Sequence, residues 1–67
     1  MNKGKLLAGL DVGHVATKAV LMRGQEILGY TTASTGFDAA AAAEAALKNT
    51  LETAGIGRGE LAGMVAT

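Results

Sequence analysis

The sequence predicts an α/β unit with a mixed sheet, built in the order β-β-β-α-β. Three observations predict it. Three short apolar or β-branched runs are separated by glycine-containing turns, an alanine-rich run repeats its polar and apolar positions at helical spacing, and a short apolar run follows. A strand, helix and strand in succession make a right-handed crossover, which sets the last strand parallel to an earlier one.

The first strand is expected over Lys5 to Asp11, an apolar run bounded by Gly4 and Gly13 and suited to burial on both faces. The second runs from Thr17 to Met22. Arg23-Gly24-Gln25 is a short polar loop with a glycine, so the third strand, Glu26 to Ser34, returns as a hairpin with Ile27 and Leu28 on opposite faces. Three strands joined by tight turns form an antiparallel meander.

The period then changes. Asp38 is a good N-cap for a helix ending at Ala54, and Phe37 is placed to staple onto Ala42. Ala40, Ala43, Leu47, Leu51 and Ala54 share one face, while Glu44, Lys48 and Glu52 follow one another at i, i+4 on the other. Gly55 is the expected C′ glycine, and Ile56 returns to the apolar face. A glycine-containing loop to Glu60 leads to a fourth strand over Leu61 to Thr67.

Composition narrows the function classes. Six basic and six acidic side chains balance, and no Lys/Arg stripe marks a nucleic-acid or membrane-surface binder. Lys3 and Lys5 precede Leu6-Leu7-Ala8-Gly9-Leu10, but Asp11 ends the run too early for a signal peptide. No segment approaches the roughly 20 apolar residues of a membrane helix. The expected location is cytoplasmic, and the lack of cysteine suits a reducing compartment. A chain of this length buries only about 60% of its unfolded surface. With an alanine-rich core and a final strand at a sheet edge, it is expected to be an incomplete unit that docks on further structure.

The turn between the first two strands carries the chemistry. Asp11 ends an apolar strand, where a carboxylate is costly without a partner or a task. Gly13 allows a tight turn and leaves backbone N–H groups open to an anion. Thr17 adds a hydroxyl and Lys18 a cation. An acid for hydrated magnesium, backbone donors for phosphate and a lysine are the parts that phosphoryl transfer needs. A Walker loop is excluded, because there the lysine opens a helix after a longer glycine stretch, whereas Lys18 opens a strand. Each residue alone has a plainer reading. Asp11 and Gly13 are common turn residues, Lys18 is a common strand-edge charge, and His14 is an ordinary loop side chain. Their combination on one hairpin favours phosphate.

Gly9-Leu10-Asp11-Val12-Gly13-His14-Val15-Ala16-Thr17-Lys18-Ala19-Val20-Leu21 resembles the first phosphate motif of the acetate kinase, sugar kinase, heat-shock chaperone and actin superfamily, which runs Asp-x-Gly-Ser/Thr-x-x-x-Lys or close to it. Glu26-Ile27-Leu28-Gly29, Thr35-Gly36, the alanine-rich helix, Ala54-Gly55-Ile56 and Met64-Val65-Ala66-Thr67 extend the resemblance over residues 1–67. They resemble one branch in particular, the ATPase activators of 2-hydroxyacyl-CoA dehydratases and the related ATPase subunits of benzoyl-CoA reductase. The resemblance implies a ribonuclease-H-like, actin-type fold and a homodimer or paired ATPase subunit. It also implies ATP or ADP with Mg2+ as cofactor and a dehydratase or reductase component as partner. Hydrolysis in that family drives an electron from an iron–sulfur cluster, for which this chain has no cysteine ligands.

Carried over by motif position, Asp11 meets the magnesium shell through water, Gly13, His14 and Val15 hold phosphate oxygens by their backbone, and Thr17 and Lys18 lie beside them. His14 replaces the usual Ser or Thr; a protonated imidazole can also pair with phosphate. The second phosphate loop and adenosine pocket lie later in such proteins, so these 67 residues alone are expected not to hydrolyse ATP. Two other readings share the motif: the front of a sugar or other small-molecule kinase, and a non-catalytic actin-like assembly module.

Overall fold

The computed structural model describes residues 5–66. Four strands and one long helix follow in the order β1 (Leu6–Val12), β2 (Ala16–Arg23), β3 (Glu26–Ser34), α1 (Ala39–Ala54) and β4 (Gly63–Ala66), with a 3-10 turn at Arg58–Glu60 before β4. The sheet order is β3-β2-β1-β4. The first three strands are antiparallel neighbours, and β4 lies parallel to β1, with Gly9 opposite Val65. The expected mixed β-β-β-α-β unit is therefore present, and β3 matches its expected bounds. The last part of the expected fourth strand, Thr67, lies outside the described residues.

Alternation along the strands assigns the two faces of the sheet. Leu6 and Ala8 of β1 and Thr17, Ala19 and Leu21 of β2 are buried under α1, whose own buried residues are Ala46, Leu47, Thr50 and Leu51. Leu6, Ala8, Leu21, Leu47 and Leu51 form one cluster, to which Leu28, Ile56 and Leu61 add partly buried bulk. The other face is open. Burial of β1 on both faces, as the sequence suggested, is not found: Leu7 is exposed, as are Tyr30 of β3 and Val65 of β4. A continuous apolar run encodes a strand but not the number of layers packed against it.

The ends of α1 follow local chemistry. The Asp38 carboxylate accepts from the Ala41 N–H at 3.1 Å. At the other end Gly55 takes φ +73°, its N–H donates to Glu52 O, and the Ile56 N–H donates to Leu51 O. This is a Schellman closure, and Ile56 then packs against the core. The expected Phe37 staple does not form, because Phe37 is fully exposed. Its proposed partner Ala42 is a single methyl, too small to hold an aromatic ring against the entry of the helix. Ala40 is exposed too, and the buried stripe includes Ala46 and Thr50, which the spacing had not singled out. Arg58 of the 3-10 turn folds back along α1 and makes an exposed ion pair with Glu44 in the first half of the helix.

Candidate phosphate-binding hairpin

The turn between β1 and β2 is closed by the Gly13 N–H donating to Ala16 O at 2.9 Å. That bond explains the glycine spatially: a Cβ at position 13 would lie 3.1 Å from the same Ala16 oxygen. It also removes the Gly13 N–H from the set of free donors. The next two amides differ, since the N–H groups of His14 and Val15 have no acceptor among the described residues. Both residues are exposed at the tip of the hairpin, so two adjacent donors face solvent there.

The side chains of the motif separate by strand alternation. Asp11 and Lys18 are cross-strand partners on the open face, where they border a groove of about 350 Å3 floored by Gly9 and walled by Val20, Tyr30 and Val65. An acid and a cation thus stand side by side at one end of an apolar channel. Thr17 points the other way. It is wholly buried, and its hydroxyl is 2.9 Å from that of Thr35. Thr35 in turn donates to Gly13 O at 2.7 Å. That bond uses the only Thr35 hydroxyl proton, so Thr17 must be the donor in the pair. The structure therefore gives the Thr17 hydroxyl a bracing position inside the fold, not one facing solvent beside Lys18.

Gly13 and His14 line a second hollow, also of about 350 Å3, shared with Thr35, Gly36, Phe37 and Ala39 at the start of α1. The first turn of α1 contains no acidic residue, although the Asp38 carboxylate sits at the cap. The positive end of the helix dipole consequently opens near the hairpin tip. The six residues singled out in the sequence thus fall into three settings: Asp11 and Lys18 in the open-face groove, Gly13, His14 and Val15 around the tip, and Thr17 beneath it. Thr35 was missed as part of this arrangement. Its contacts with Thr17 and Gly13 span 18 and 22 residues, and only the Thr35-Gly36 pair before the helix drew attention to it.

Among the described residues, no group of three or more His, Asp or Glu side chains could hold a metal directly, and no helix is long and apolar enough to cross a membrane. The chain contains no cysteine, so it offers no thiolate to an iron–sulfur cluster.

No protein-family profile matches the chain, and no curated protein matches it. Solved structures do. The fold is an actin-type β-β-β-α-β unit. It is similar to the crystal structure of component A of the (R)-2-hydroxyglutaryl-CoA dehydratase of Acidaminococcus fermentans, with a TM-score of 0.82 and 24% sequence identity. The match covers 92% of this chain and 24% of that one, so the chain spans about a quarter of its length.

Proposed function

We propose that residues 1–67 are the N-terminal part of an actin-like ATPase domain and supply its first phosphate-binding hairpin. The observation that carries this reading is the pair of amides at His14 and Val15 that have no acceptor among the described residues, on the same hairpin that sets Asp11 beside Lys18. Two adjacent N–H donors suit an oxyanion, Lys18 offsets phosphate charge, and the exposed Asp11 carboxylate suits a water of hydrated Mg2+. His14 brings an imidazole to the tip where the resembling motifs carry a hydroxyl. Thr17 contributes from below by bracing the turn.

The proposed role of the whole protein is that of an activator. It would couple ATP hydrolysis to low-potential electron transfer to a 2-hydroxyacyl-CoA dehydratase or benzoyl-CoA reductase, working as a homodimer or paired subunit. Motif resemblance and fold likeness to component A of such a dehydratase support that assignment. An iron–sulfur cluster does not fit the residues of this chain, which has no cysteine to ligate it. The remainder of the ATPase domain is the partner required for turnover.

Mg-ATP binding by the complete protein tests the hairpin. Asp11→Ala and Lys18→Ala should each abolish binding measured by calorimetry. Normal binding by both variants would overturn the phosphate assignment. The 67-residue chain by itself should show no steady ATP turnover.

A further inference from the structure

We propose that Thr35 is the positioning residue of the phosphate cradle, fixing the hairpin so that its tip presents an outward-facing donor pair. The inference rests on the phosphate-binding reading and concerns a residue to which that reading gives no part.

Thr35 holds the turn at three points. Its hydroxyl donates to Gly13 O at 2.7 Å, its Oγ1 accepts from the Thr17 hydroxyl, and its backbone N–H donates to Val15 O at 2.9 Å. The residue itself is almost fully buried, so water does not compete freely for these bonds. Gly13 O and the His14 N–H belong to one planar trans peptide and point in opposite directions. Drawing that oxygen inward onto Thr35 therefore turns the His14 N–H outward. The Val15 carbonyl is tethered from the same side, so the His14–Val15 peptide is suspended between two anchored neighbours. An oxyanion then meets donors already oriented, with little backbone ordering left to occur on binding.

Serine keeps every one of these bonds, whereas valine keeps the shape and loses the two that involve the hydroxyl. Thr50 supplies the control. It is equally buried, and its hydroxyl bonds to Thr31 Oγ1 and Ala46 O, away from the hairpin. The measurement is titration of the 15N-labelled complete protein with the magnesium complex of inorganic tripolyphosphate, read at the backbone amides, beside thermal unfolding of each variant. Thr35→Val should weaken binding by about tenfold or more, the scale of one charge-assisted hydrogen bond, and shift the His14 amide before any probe is added. Thr35→Ser should stay within about twofold of the wild type, because its bonds are unchanged. Thr50→Val should lose stability and keep its affinity.

Folded Thr35→Val that binds like the wild type would overturn the proposal and leave the phosphate reading standing. So would equal weakening by Thr35→Val and Thr50→Val, which would mark a purely structural role. If Thr35→Val does not fold, a large loss of affinity in folded Thr35→Ser overturns the proposal, and retention supports it. A complete wild-type protein whose hairpin amides ignore the probe would remove both the proposal and the reading beneath it.

Discussion

The two faces of the sheet are made from similar residues and live under different constraints. Under α1, Leu6, Ala8, Thr17, Ala19 and Leu21 are almost completely buried. On the open side, Leu7, Val65 and Tyr30 are 42%, 65% and 69% exposed, although the residues are just as apolar. The covered face holds the strands in register and braces the hairpin from within. The open face carries Asp11 and Lys18. The difference teaches that the shape of the candidate site is set from one side of the sheet and its charge is presented on the other.

Substitutions can break or sharpen that contrast. The largest effect is expected at Leu21, which is fully buried in the core. Leu21→Ala should cost about 3 kcal/mol in chemical denaturation, enough to unfold a substantial fraction of a domain this small. Gly55→Ala forces a side chain into the left-handed region at φ +73° and should cost about 1 kcal/mol. Asp38→Ala removes the N-cap bond to Ala41 and should cost about the same, near 1 kcal/mol. On the open face, Tyr30→Ala should change stability by no more than about 0.5 kcal/mol. Phe37→Ala should leave the melting temperature unchanged, since Phe37 is fully exposed. A large loss at Tyr30 would show that something covers the open face in solution.

The parts of the fold that were legible in the sequence are those written locally. Asp38 and Gly55 bracket α1 because caps depend on residues three or four positions away. The Gly24 turn and the β-branched residues of Glu26–Ser34 fixed β3 in the same way. The buried stripe of α1 was harder to read. In a run of alanines every face is equally apolar, so the helix is oriented by Leu47, Thr50 and Leu51 meeting the sheet. At the site, the sequence puts Asp11 and Lys18 on one hairpin, and the strand register sets them opposite each other. The inward turn of Thr17 was not legible: alternation along β2 puts Thr17 and Lys18 on opposite faces, but which face is buried depends on where α1 packs. The 3-10 turn was also hidden, although Glu60 reaching back to the Gly57 N–H is a capping pattern readable in retrospect.

The pairing of β2 with β3 is interrupted by a register shift beside Leu21 and Met22, and this bears on how the chain tolerates changes in length. Leu21 lies opposite Gly29 and Met22 opposite Ile27, which leaves Leu28 as an extra residue in β3. Deleting Leu28 would leave the flanking pairs aligned and every other side chain on its present face. The deletion would remove the leucine that packs against the core beside Gly29, where α1 approaches so closely that a Cβ would touch Thr50. Related chains that lack the extra residue should therefore carry their compensating bulk on the helix, opposite position 29, and not on the strand.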